Sequence, residues 1–174
     1  PTEEISGRGT KRVVDGVNFE FIDAANTEAP AEFMFYLPDF RVLCTAEVAT
    51  ATFHNGLTLR GAKVRDFLEW SRVLDYALVN YAGRSDIAMG SHHWPTFGRE
   101  RVQDFLRGQR DVYRYTHDQT VRLANRGDTQ FEIAEELQEP SIESKNFDTR
   151  GYYGTLNHNA KAVYQFYFGW WDGV

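Results

Sequence analysis

Up to about residue 60, β-branched and aromatic side chains alternate with polar ones, and from Gly61 onward the apolar period lengthens to about 3.6. The chain therefore reads as a strand-rich half followed by a helical half. In KRVVDGVNFEFI, residues 11–22, the dipeptide Asp15-Gly16 divides two alternating runs and predicts a tight hairpin turn, with Val17, Phe19 and Phe21 on one face. A second pair of runs, 32–37 and 40–46, is divided at Pro38-Asp39, again a turn signature. In VRDFLEWSRVLDYALVNY the residues Val64, Phe67, Leu68, Leu74, Leu78 and Tyr81 predict one helical stripe, with Gly83 as its C-cap. SDIAMGS predicts a short strand running into the loop SHHWPTFG. A long helix follows from Arg99 to about Ala124, with Val102, Phe105, Leu106, Tyr113 and Val121 expected inside. Thr129 to Glu132 fits a capping box before a short helix ending near Gln138. A last helix, about 157–168, is aromatic on the side of Tyr164, Phe168 and Trp171.

This order, strands, then strand-helix-strand, then helices, is an α/β pattern with something missing. Residues 11–46 offer two hairpins and no helix to cover their apolar faces, so the complementary layer is expected upstream. At 174 residues, with 42% hydrophobic and 15% aromatic residues, the chain has the length of one domain and the composition of a folded one. A net charge of −6 gives no global attraction to nucleic acid or to anionic membrane. No apolar run approaches the roughly 20 residues of a transmembrane helix, and no charged-then-apolar leader opens the chain. Cys44 is the single cysteine, which excludes an internal disulfide and any CxxC metal knuckle.

Candidate chemistry gathers at strand ends. SHHWPTFG sets His92 and His93 just after the strand IAMG, while Glu28 and Glu32 sit beside one strand start and Glu47 follows the strand RVLCTA. Two carboxylates and an imidazole at one sheet edge suit a divalent ion such as zinc, and a shared carboxylate could hold a pair of ions. Spacing alone leaves the alternative open that these are solvated turn residues.

The runs TEAPAEFMFYLPDFRVLCTAEVATATFHNGLTLRGAKVRDFLEW, SHHWPTFGRERV, FLRGQRDVYRYTHDQTVRLANRG and RGYYGTLNHNAKAVYQFYFGWWDG closely resemble the alkyl sulfatases of the metallo-β-lactamase superfamily. These are zinc-dependent enzymes that hydrolyse alkyl sulfate esters such as dodecyl sulfate to alcohol and inorganic sulfate. The resemblance implies that residues 1–98 form the second half of a metallo-β-lactamase-like αββα domain and that 99–174 lead into an all-α dimerisation region. By the same resemblance Glu28 is a zinc ligand, Glu47 bridges two zincs, and His92 completes the second site, with His93 and Trp94 shaping the loop. Arg60 of LTLRGA would hold the sulfate, Tyr152 and Tyr153 of RGYYG would line the pocket, and His158 of NHNAK would act as acid toward the leaving group. One departure is large: His54, His92, His93, His117 and His158 form no HxHxDH segment, which supplies most of both zinc sites in the family. The chain is thus expected to be a piece of an alkyl sulfatase, inactive by itself, whose partner is the N-terminal half carrying HxHxDH and whose assembly is a homodimer. A family region beyond GWWDG, associated with a sterol-carrier-like domain, is also expected outside it. The alternative is a non-catalytic helical association fragment with vestigial metal ligands. Family members are often exported, which points to a secreted or periplasmic parent; the residues themselves leave the compartment open.

Overall fold

In a computed structural model of the chain, residues 3–141 and 146–170 are described. Asp15 and Gly16 both take the left-handed conformation, φ 50° and 81°, which matches the twist of a two-residue hairpin and joins β1 (Arg8–Val14) to β2 (Val17–Asp23) with Val14 opposite Val17. β3 (Phe33–Leu37) and β4 (Val42–Ala46) follow as the second predicted hairpin pair. A helix, α1 (Phe67–Asn80), then crosses over to β5 (Ile87–Gly90), which lies parallel to β4. Residues 96–97, expected in a loop, form a short strand, β6 (Thr96–Phe97), antiparallel to β5. The six described strands stand in chain order in one sheet, and among them the β4–β5 pair is the only parallel one.

Three helices complete the described chain: α2 (Arg99–Arg126), α3 (Gln130–Glu136) and α4 (Leu156–Phe168). Thr129 and Glu132 make the predicted capping box reciprocally. Val102, Phe105, Leu106 and Tyr113 are buried as expected on α2, whereas Val121 is only half-buried. The stripe predicted for α1 is displaced. Its N-cap is Asp66, whose carboxylate accepts the Glu69 N–H at 3.0 Å, so Val64 lies before the helix, and the buried side is Phe67, Trp70, Ser71, Val73, Leu74 and Ala77. Leu68 and Leu78 fall on its flanks. Gly83 is not the C-cap either: α1 ends at Tyr81 and the chain continues into a 3₁₀ turn at 82–84. On α4, Tyr164 and Phe168 stack with ring centroids 4.7 Å apart, while Trp171 lies outside the described residues.

The sheet has two unlike faces, because cross-strand partners share a face and neighbours along a strand alternate. Ile22, Met34, Tyr36, Leu43 and Ala88 turn toward α1 and α2 and are buried in one core with Trp70, Leu74, Leu106 and Tyr113. Trp70 and Tyr113 stack at 4.3 Å at its centre. The opposite face carries Phe19, Phe21, Phe33, Phe35, Cys44 and Met89, whose aromatic rings contact one another at 5.3–6.5 Å. No described element covers it, and Phe33 and Met89 remain 44% and 39% exposed. Of the cover expected for the hairpins, α1 and α2 supply one face, and the aromatic face stays bare of described elements.

Candidate metal centre and substrate pocket

Because β4 and β5 run parallel, their C-terminal ends finish on the same edge, where open α/β sheets bind ligands. Both strands leave that edge through non-glycine residues with positive φ, Ala46 at 49° and His92 at 75°. Such backbone costs on the order of 1–3 kcal/mol and persists where surrounding bonds impose it. Here Ser91 N–H donates to the Ala46 carbonyl at 3.0 Å, and the Thr45 hydroxyl donates to the Ala49 carbonyl at 2.8 Å. Gly90 permits the approach, since a Cβ there would lie 2.6 Å from Ala46 O and 2.7 Å from Thr45 Oγ1. The result is direct contact between His92 Nε2 and Glu47 Oε1.

Glu28 is held from the other side. Its loop is folded by the Thr27 hydroxyl donating to Ala24 O at 2.6 Å and by Asn26, φ 66°, donating its N–H to Ala29 O at 3.0 Å. The buried Arg65 side chain donates from Nε to the Glu28 carbonyl at 2.5 Å and from Nη2 to the Glu28 carboxylate. Its Nη1 donates to the Asn55 carbonyl at 2.9 Å and lies 3.2 Å from His54 Nδ1. Glu32 stands nearby: burial, then the negative charges of Glu28 and Glu47, push its carboxyl up to about 7, against the lowering bond from Phe33 N–H. Among the described residues no set of three or more His, Cys, Asp or Glu side chains is gathered to hold a metal unaided. The donor types nonetheless fit a divalent ion: a carboxylate-imidazole pair already converged, and a repelling carboxylate group beside it that a cation would relieve.

Between these loops and residues 147–153 lies a pocket of about 450 Å³, walled by Glu47, His54, His92, His93, Phe147, Tyr152 and Tyr153. The predicted Tyr152 and Tyr153 thus meet Glu47 and His92 at one cavity. Tyr152 packs on Phe147 at 5.3 Å, and Tyr153 meets the His54 ring edge-on at 4.9 Å. The Thr52 hydroxyl is engaged on the Arg150 carbonyl at 3.2 Å, and the His93 Nδ1 is buried without a partner among the described residues. Three predicted residues do not line this cavity: Glu28, which faces a neighbouring one with Asn26 and Lys63, and Arg60 and His158. Arg60 stands in an exposed turn beside the fully exposed Leu59, and His158 is exposed on the first turn of α4, its N–H capped by the Thr155 hydroxyl at 3.2 Å.

Three residues passed over in the sequence belong to the site. His54 is 4% exposed, its protonation disfavoured first by burial and also by the Arg65 charge. Arg65 precedes the helix cap, where a basic residue carries no signal beyond its type. Asn159, 1% exposed on α4, accepts the Gly56 N–H at 2.8 Å and donates to the His54 carbonyl at 2.9 Å. Phe53 N–H to Arg150 O at 2.9 Å and Gly154 N–H to Phe53 O at 2.8 Å complete the stitching of loop 52–56 to segment 150–154.

The profile of the family described as alkyl sulfatase dimerisation matches residues 129–174. The chain is 47% identical over 172 residues, 99% of its length, to the alkyl/aryl-sulfatase BDS1 of Saccharomyces cerevisiae, and covers 27% of that protein. It is 46% identical over 99% of its length to a linear primary-alkylsulfatase of a Pseudomonas species, covering 26% of it. Among solved structures, the stereoselective inverting sec-alkylsulfatase Pisa1 from Pseudomonas superimposes with a TM-score of 0.96 at 40% identity, over 99% of this chain and 27% of that one. A metallo-β-lactamase family protein from Thermus thermophilus matches with a TM-score of 0.56 at 17% identity, over 91% of this chain and 47% of that one, which shows the fold. The chain thus spans about 27% of the length of the curated relatives it matches. Along nearly its whole length the chain is thus similar to a segment, about a quarter, of known alkyl sulfatases, and it shares the fold of a metallo-β-lactamase family protein.

Proposed function

We propose that this chain forms part of a zinc-dependent alkyl sulfatase that hydrolyses alkyl sulfate esters of the dodecyl sulfate type to an alcohol and inorganic sulfate. The observation that carries the reading is the meeting of Glu47 and His92 at the edge of a largely aromatic pocket, in a chain so similar to known alkyl sulfatases. Glu28, Glu47 and His92 would hold the metal pair, with Glu47 shared. Zinc bound there would bring the pKa of its water toward neutrality and polarise the ester. Phe147, Tyr152 and Tyr153 offer an apolar wall to the alkyl chain. The resemblance also assigns Arg60 to the sulfate and His158 to the leaving oxygen; since neither lines the cavity formed by the described residues, both roles require that the rest of the protein, once assembled on this chain, bring these side chains into contact with the substrate.

The uncovered aromatic face of the sheet supports a second proposal: the segment carrying HxHxDH and the remaining ligands packs on it, completing both the two-sheet domain and the metal sites. Residues 1–98 then belong to the catalytic domain and 99–174 to a helical region through which two copies associate, consistent with the dimerisation profile over 129–174. Zinc per chain, intact mass under denaturing conditions and dodecyl sulfate hydrolysis test the reading together. Near two zincs with a second, histidine-bearing polypeptide and hydrolysis support it, and Glu47→Gln is then expected to abolish both zinc retention and turnover. A single mass near 20.1 kDa without zinc leaves the 174 residues as an association fragment. Unchanged zinc and turnover in Glu47→Gln would refute the bridging role.

A further inference from the structure

Segment 147–154 holds two large apolar rings out of the core at the mouth of the pocket. Phe147 and Tyr152 are 59% and 63% exposed, yet their rings pack on each other at 5.3 Å and both line the cavity that holds Glu47 and His92. The backbone beneath them is fixed to α2, which keeps the rings from turning inward. Thr149, fully buried, lies against Gly108, where a Cβ would meet its Cγ2 at 3.1 Å, and the buried Gln109 amide donates to the Asp148 carbonyl. Turn bonds from Arg150 N–H to Phe147 O at 3.3 Å and from Tyr152 N–H to Arg150 O at 2.9 Å set the two rings side by side. The Arg150 guanidinium also donates to the Tyr152 hydroxyl at 3.3 Å. Tyr153 is engaged elsewhere, edge-on to the buried His54. The cavity therefore combines a polar pair, Glu47 and His92, with a pre-formed aromatic shelf.

We propose that Phe147 and Tyr152 form the gauge of alkyl-chain length, their rings covering one side of the methylenes while the head group reaches Glu47 and His92. A single exposed apolar side chain needs no explanation. Two rings in contact on a fixed backbone at a cavity mouth are different, because they offer a continuous apolar surface that loses water only when a chain lies on it. The shelf is already in place, so little ordering opposes the contact. A methylene wholly removed from water gains about fourfold in affinity, and one covered on a single side about twofold. Chain preference then resides in binding and not in the chemical step, since these contacts are the same in substrate and transition state. The inference rests on the alkyl sulfatase reading for its ligand and on segment 147–154 for its residues.

Calorimetric binding of octanesulfonate and dodecanesulfonate to the assembled protein, below their micelle-forming concentrations, tests it apart from turnover. A sulfonate has a C–S bond in place of the ester and is not hydrolysed. The readout is the ratio of the two affinities, in which any general weakening cancels. Four methylenes separate the probes, so wild type is expected to favour the longer by about 16- to 250-fold. The double substitution Phe147→Ser with Tyr152→Ser is expected to lower that ratio by about 4- to 16-fold, with zinc content unchanged. Tyr152→Phe keeps the ring and is expected to keep the wild-type ratio. A double variant whose ratio stays within about twofold of wild type overturns the inference, and so does a Tyr152→Phe ratio as low as that of Tyr152→Ser. A wild-type protein that hydrolyses no alkyl sulfate but favours the longer probe through these two rings refutes the functional reading and leaves the shelf standing.

Discussion

Asn159 offers the sharpest test of how the helical region builds the pocket. Its amide makes two buried bonds across the fold, to Gly56 N–H at 2.8 Å and to His54 O at 2.9 Å. Each is worth about 1 kcal/mol net, but Asn159→Ala also leaves a buried N–H and a buried carbonyl without partners, about 1–3 kcal/mol apiece. The loop cannot collapse to recover them, because Gly56 is already pressed against Ala162 and Phe67: a Cβ there would meet them at 2.8 and 2.9 Å. Asn159→Ala is thus expected to cost about 2–5 kcal/mol. Asn159→Asp keeps the acceptor for Gly56 N–H but sets a carboxylate against the His54 carbonyl, and should cost about 1–3 kcal/mol. Urea unfolding followed by tryptophan fluorescence measures both, as a lower midpoint at an unchanged slope. An Asn159→Ala protein within about 0.5 kcal/mol of wild type would refute this account of the loop, since it would mean the two backbone groups find water or other partners without loss.

Gly90→Ala should force the ends of β4 and β5 apart, since its Cβ would sit 2.6 Å from Ala46 O; zinc content of the assembled protein is expected to fall severalfold, and full retention would contradict the close-approach role. Glu32 gives a pH test: its carboxyl is raised to about 7 in the fold but ionises near 4.5 when unfolded, so metal-free protein loses stability as pH climbs from about 4.5 to about 7. Glu32→Gln removes that slope and is expected to stabilise the metal-free protein at pH 8 by on the order of 1–2 kcal/mol, allowing for partial solvent screening, with no gain at pH 4. A gain equal at both pH values would point to packing, not charge. Phe33→Lys, at a position 44% exposed on the uncovered face, should reduce self-association of the 174-residue chain in sedimentation at little cost to its unfolding midpoint. Unaltered association would place the sticky surface elsewhere.

Much of this arrangement was legible in the residues, and the failures have causes. The Asp15-Gly16 hairpin and the Thr129 capping box depend on local chemistry alone, so type and spacing sufficed. The α1 stripe did not, because Ser71 and Ala77 are buried through α2 packing, while the larger Leu68 and Leu78 sit on the flanks. β6 has two residues and owes its strand to β5, which no local pattern announces. At the site, Glu47 and His92 could be paired because each follows a strand end, and the resemblance marked Tyr152 and Tyr153. His54, Arg65 and Asn159 were illegible for a shared reason: their roles rest on contacts spanning 10 to 105 positions in the chain.

That span constrains how such proteins can be recombined. The loop behind the pocket is written in two places, residues 52–56 and residues 150–159, and neither half of the bonding makes sense without its counterpart. A chimera joining the first part of one homologue to the last part of another, at any crossover between those stretches, inherits a wall from one parent and its fastening from the other. Pocket swaps intended to alter alkyl-chain preference should therefore exchange both stretches as one unit.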